Sequence, residues 1–288
     1  MSLDAFELPF MQRALVVVLL VGIVCGVVST YVVLRRFAFF TDTLTHTVFP
    51  GVAIAFVAGG SVWVGALLAG IVTAVGFSLV QAQERVNSDA ALAVILTTLF
   101  AIGVMVVSRI DSFTNDLVTL LFGQVLSVSG SDIAVTGVLG AIAVIIVGLL
   151  HKELVGQAFD PMAMVSMGRP GALLDVALNL ATTLVVVASV RAVGTTLVLA
   201  LLVTPAVTGR LLTRSVPAMM AVSVLVAVAS GVVGLMISYE ASVGHDVRLA
   251  PGATIVVVLT AGFAVTAAVV AARRRLVHRS ALGSRATA

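Results

Sequence analysis

Apolar residues fall in long runs along this chain, and the polar ones gather in short connections between them. A bilayer core about 30 Å thick needs roughly 20 apolar residues per helix, and a helix satisfies its own backbone hydrogen bonds in lipid. On that basis the stretches 11–34, 43–59, 62–82, 90–108, 132–150, 172–190, 194–213, 217–238 and 252–272 are nine candidate spans. The second is short and polar at its start, and the seventh carries Thr204-Pro205, so either can be a broken or re-entrant element. The pattern therefore predicts an all-α polytopic membrane protein with eight or nine transmembrane helices. A single transmembrane domain is expected over residues 1–275, followed by a short basic tail at 276–288.

Composition agrees with the pattern. Hydrophobic residues make up 60% of the 288 positions and charged residues 10%, against about a quarter charged in a soluble domain. Mean hydropathy is +1.22. The net charge of +3 does not point to nucleic acid, because the basic residues sit in pairs and triplets between apolar runs and do not stripe one face. They read instead as topology signals. With nine spans and the N-terminus outside, 12 of the 16 basic residues fall on the cytoplasmic side and only Arg13, Arg109, Arg191 and Arg248 outside. The tail is then cytoplasmic. Cys25 is the only cysteine and lies in the first apolar run, so neither a disulfide framework nor a thiolate metal cluster is expected. The N-terminus lacks a basic n-region and a small-residue cleavage site, so the first helix is expected to direct insertion itself.

Against this background two ionisable residues stand out. Asp42 and His46 lie four apart, which on a helix places a carboxylate and an imidazole one turn apart on one face. Ionisable groups at membrane depth cost roughly 2.5 to 3.5 kcal/mol each and are usually retained where something passes by them. One carboxylate and one imidazole form an N/O donor set suited to Mn²⁺, Zn²⁺ or Fe²⁺. The alternative is a mutually satisfied pair that merely packs. Pro50-Gly51 just beyond, and Pro205 in the seventh run, can break their helices and free carbonyls near a permeation path.

Two connections carry further candidates. Between His151 and Asp175, Asp160-Pro161 reads as an N-cap with proline at the first helical position, and Gly168 as a stop. A helix of about two turns presenting Met162, Met164 and Met167 would suit docking to a partner; a plain linker dipped in headgroups is equally compatible. The connection Ser238–Pro251, which holds Glu240, His245 and Asp246, can gate a pore or receive a partner on the outer side, though a solvated loop needs no such role.

Taken together these segments resemble the zinc/manganese/iron class of ABC transporter permeases. Leu34-Arg35-Arg36, then Asp42 and His46 ahead of Pro50-Gly51-Val52-Ala53, is similar to that family's second-helix signature. Leu121–Leu126 with Ser131-Asp132, Glu153 through Phe159-Asp160-Pro161 to Gly168, Val193-Gly194 through Thr204-Pro205-Ala206, and Gly252–Val256 resemble four further family segments in matching order, from about residue 10 to 275. The resemblance implies an ABC importer permease in a bacterial cytoplasmic (inner) membrane, working as a homodimer. An extracellular solute-binding protein would deliver the metal and a cytoplasmic ABC ATPase would drive transport. Asp42 and His46 would line the transport site, Glu153, Phe159, Asp160, Pro161 and Gly168 would lie in the segment coupled to the ATPase, and no cofactor would be permanently bound. The chain itself has no Gly-x-x-x-x-Gly-Lys-Ser/Thr run and so no phosphate loop for ATP. An ion-coupled secondary transporter, which needs no ATPase, is the main rival reading. An intramembrane metalloenzyme is less well supported, since no His-Glu-x-x-His run is present.

Overall fold

The computed structural model describes residues 8–81, 87–108, 123, 125–168, 171–244 and 249–286. Among these residues the secondary structure is helical: α1 (Pro9–Leu34), α2 (Ala38–Val57), α3 (Val62–Gln81), α4 (Ser88–Val107), a 3-10 turn at Val125–Ser127, α5 (Gly130–Leu149), α6 (His151–Phe159), α7 (Pro161–Ser166), α8 (Gly171–Val193), α9 (Thr195–Leu212), α10 (Val216–Gly244) and α11 (Pro251–Ala286). All nine expected runs are helices. Eight of them are long and apolar enough to cross a membrane, and α2 is the one outside that set, because Asp42, His46 and four threonines dilute its apolar content.

α1 and α8 form the centre of the bundle. α1 packs on α5, α8, α9 and α10, while α8 also meets α3 and α5, and the remaining long helices stand around them with one face turned outward. Lipid tails are as apolar as leucine, so helices in a bilayer are held by close packing and not by a hydrophobic contrast between them. Small residues supply the closeness. A Cβ added at Gly26 of α1 would lie 2.6 Å from the Val224 Cα of α10, so the two backbones meet there with no room for a side chain. α2 and α3 cross in the same way at Gly51 and Gly65, each of which would drive a Cβ into the other's carbonyl group.

Neither proline breaks its helix. α2 runs through Pro50 and α9 through Pro205, so the expected breaks are interior prolines, each omitting one amide donor. At Pro50 dense packing explains the continuity. Phe49 and Pro50 sit against Gly103 of α4, and Gly51 against Gly65 of α3, so α2 is clasped from two sides at that point.

The connection after α5 holds more structure than its sequence suggested. The expected short helix is present as α7, with the Asp160 carboxylate accepting from the Ala163 amide at 3.0 Å and Pro161 at the first helical position. Gly168 ends it in the left-handed region at φ 72°. A second helix, α6, precedes it. Met162 and Met167 are exposed as expected, but Met164 is buried against Gly156 of α6 and belongs to the contact that seats α7. Glu240 also differs from expectation: it lies within α10 and not in a loop, exposed near that helix's end, while His245 and Asp246 lie outside the described residues. α11 continues as helix through the 275/276 boundary to Ala286.

Candidate functional site

α2 owes its character to a run in which Thr41, Thr43, Thr45 and Thr47 alternate with Asp42, Leu44 and His46. The four threonines and Leu44 are buried, and each threonine hydroxyl donates to a backbone carbonyl three or four residues earlier, for Thr41 that of Phe37 just before the helix. Thr47 also meets Thr73 of α3, hydroxyl to hydroxyl, at 2.9 Å. The threonine polar groups are thereby spent on the helix and its neighbour.

Asp42 and His46 behave differently. Their side chains retain 33% and 39% exposure and so are only partly covered by the chain itself. The His46 Nε2 and the Asp42 Oδ1 stand 3.7 Å apart, too far for a direct hydrogen bond. Donors bound at about 2.1 Å to one ion with an angle of about 90 to 110° between them lie about 3.0 to 3.4 Å apart. A small side-chain adjustment would therefore close the pair on a metal ion. Pro50 has no amide to give the His46 carbonyl, so the regular helix bond to that oxygen is missing one turn beyond the pair.

No group of three or more His, Cys, Asp or Glu gathers anywhere among the described residues. One chain thus offers two protein donors at this face, fewer than a closed structural site uses. Glu153 lies in the first turn of α6. Phe159, Met162, Val165 and Met167 form an exposed apolar patch over α6 and α7, with Phe159 at 69% and Met162 at 81% exposure. Pro205 is buried in α9, and Glu240, remote in sequence from the α2 pair, is exposed near the end of α10.

Several polar residues that sequence reading passed over are brought together at the end of the bundle where α1 stops. Arg35, read from sequence as a topology signal, pairs through Nη2 with Asp175 of α8 and through Nη1 donates to the Gln157 carbonyl of α6 at 3.2 Å. Tyr31 contacts the Nδ1 of His151 at 2.5 Å. At the other end Asp132 closes a capping box with Ser129 and faces Arg191 at 3.8 Å, whose guanidinium lies over Trp63. The sequence signals near this cluster are Asp175, an acid set in the head of an apolar run, and Arg35 itself, which stands in the Leu34-Arg35-Arg36 segment of the family resemblance.

Comparison with known proteins is consistent with this architecture. The model of the ABC 3 transport family matches residues 7–270. The chain belongs to that family. It is 36% identical over 255 residues to the manganese transport system membrane protein MntC of Halalkalibacterium halodurans, covering 88% of this chain and 85% of that protein. With the chelated iron transport system membrane protein YfeD of Yersinia pestis it shares 33% identity over 237 residues, 82% of this chain and 80% of that one. The solved structure of PsaBC from Streptococcus pneumoniae in complex with Fab superposes with a TM-score of 0.80 at 30% identity, over 91% of this chain and 93% of that chain. The chain is accordingly a multi-pass membrane permease of the metal-uptake ABC class.

Proposed function

We propose that this permease forms, as a homodimer, the path of an ATP-driven importer for a divalent transition metal, manganese, iron or zinc, with Asp42 and His46 of both copies holding the ion in transit. The observation that carries the reading is the Asp42–His46 pair on one face of α2: both ionisable side chains stay about a third exposed, while the threonines beside them are buried. Two donors per chain make an incomplete site, and a second copy of the same face would bring the total to four. Loose coordination suits transport, since a site as tight as structural zinc, about 10 to 16 kcal/mol, would hold its ion too long for turnover.

In this reading an extracellular solute-binding protein hands the metal to the side that bears Glu240, His245 and Asp246. A separate cytoplasmic ABC ATPase seats against α6 and α7, where Glu153, Phe159, Asp160, Pro161 and Gly168 define the contact segment. The C-terminal tail, with its cluster of arginines, lies on the same cytoplasmic side of a bacterial inner membrane. The metal is cargo, and no resident cofactor is required.

The test is metal accumulation, element by element, in a strain lacking the gene and in the same strain complemented with the parent, Asp42→Ala or His46→Ala. Complementation restores uptake of one or more of the three metals, and each substitution abolishes it at equal membrane protein levels. Uptake unchanged in His46→Ala removes that residue from the site. Uptake by vesicles holding the chain alone, without ATP or an ATPase, overturns the importer reading.

A further inference from the structure

The last turn of α1 offers two side chains four residues apart, Tyr31 and Arg35, and both reach α6. Tyr31 meets His151 at the first residue of α6, and the Arg35 guanidinium bonds the carbonyl of Gln157, six residues further along the same helix. α6 is therefore pinned near both ends to one turn of α1. Arg35 also grips α8 through Asp175, and the Gln157 amide ties α6 to the first residue of α8 by donating to the Gly171 carbonyl at 2.9 Å. α7 rides on α6, because Met164 lies so close to Gly156 that a Cβ there would meet its sulfur at 2.8 Å. The exposed patch of Phe159, Met162, Val165 and Met167 belongs to this one braced unit.

On its other side Arg35 leads directly into the metal-bearing helix. It caps α1, Arg36 follows in the left-handed region at φ 59°, and the Phe37 amide returns to the Val32 carbonyl at 2.8 Å, so three residues make a tight joint between α1 and α2. The Arg35 guanidinium stands 5.5 Å from the Phe37 ring, which packs edge-on against Phe40 of α2 and Phe77 of α3. Asp42 is seven positions beyond Arg35, five of them on α2.

We propose that Arg35, with Asp175 and Gln157, is the mechanical link by which movement of the α6–α7 unit is passed to α2 and its Asp42–His46 pair. The proposal rests on the reading that α6–α7 meets the ATPase. Among the described residues Arg35 bonds both α6 and α8 while standing at the joint into α2. It and Asp175 are only 14% and 17% exposed, so separating the pair would leave two poorly solvated charges at a heavy cost, and Arg35 stays with α8 while it also holds the Gln157 carbonyl of α6. Within the same cluster the Arg35 Nε and the Gln157 Oε1 are buried without protein partners. Both are polar atoms with no bond to lose, so a rearranged cluster can give them new partners.

The test uses the full permease purified with its ATPase and binding protein in proteoliposomes, with Mn²⁺ as the probe. ATP hydrolysis and Mn²⁺ uptake are measured on the same vesicles, and Mn²⁺ binding on the same complex in detergent. Arg35→Lys keeps a charge facing Asp175 but loses the two-pronged fork, and Asp175→Asn removes the charge pair. Both variants are expected to bind Mn²⁺ and hydrolyse ATP as the parent does while moving about tenfold fewer ions per ATP, within the range of one coupling interaction between sites. A merely structural role lowers the yield of complex and both activities together, and an unchanged ratio of ions to ATP overturns the proposal. Gln157→Leu leaves the charge pair in place and severs only the hook to α8, so it serves if the charged variants do not assemble. It too must lower the ratio, and a parental ratio in Gln157→Leu refutes the link. A Phe159→Asp complex that still binds its ATPase defeats the docking reading instead, and Asp42→Ala vesicles with normal uptake defeat the metal-site reading, so the three failures are distinct.

Discussion

Replacing Gly51 by alanine probes the crossing that positions the candidate metal pair. A Cβ at Gly51 would lie 2.5 Å from the Ala69 Cβ and inside contact distance of the Gly65 carbonyl. Carbon atoms rest at about 3.5 to 4.0 Å, so α2 and α3 must separate by about 1 Å, and the obstacle is backbone, which cannot rotate away. Overpacking of this kind costs about 1 to 3 kcal/mol, and the backbone contact places Gly51→Ala at the upper end. Asp42 and His46 both ride on α2, so they shift as a unit. Their mutual spacing survives, while in the proposed homodimeric site their distance to the second copy's pair changes by several times the ~0.2 Å tolerance of metal coordination. Gly76 is the control: it lies on α3 with no atom within 4 Å of an added Cβ, so Gly76→Ala should be neutral or stabilising by up to about 1 kcal/mol. Unfolding midpoints in detergent and Mn²⁺ uptake in reconstituted vesicles are the assays. Gly51→Ala should lower both. A Gly51→Ala protein with the parental midpoint and parental uptake refutes the close crossing as the element that positions α2.

Phe159→Asp and Met162→Asp place charges on the exposed α6–α7 patch; each should leave the permease folded and abolish co-purification of the ATPase, and retained co-purification moves the docking surface elsewhere. Asp160→Ala removes the only side-chain cap of α7 and should cost about 0.5 to 2 kcal/mol, read as faster proteolysis at α7 with α1 and α8 unaffected; equal cleavage rates contradict the capping role.

Low demand on coordination and high demand on packing divide the molecule. The pair on α2 needs only an open face and a neighbouring turn. Gly51 and Gly65 bring α2 tightly against α3, and Arg35, paired with Asp175, stands at the joint that precedes α2.

Class, spans and the candidate pair were readable from residue order alone, because each is a local property. Twenty apolar residues must become a helix in lipid wherever they sit, and residues four apart on a helix must share a face. The Asp160-Pro161 start of α7 and its Gly168 stop were readable for the same reason, since caps are made by residues within one turn. Other features are decided between segments far apart in the chain. Pro50 and Pro205 carry the signal of a break, yet α2 and α9 stay continuous, and for Pro50 the reason is the clasp from Gly65 and Gly103 of other helices. Met164 lies in the methionine cluster of α7 but turns inward because Gly156 of α6 leaves space for it. Arg35 finds Asp175 across 140 positions, and neither residue's neighbours announce the other. Local rules set which elements exist, and only packing among them determines which charges become partners and which face of α2 is left open.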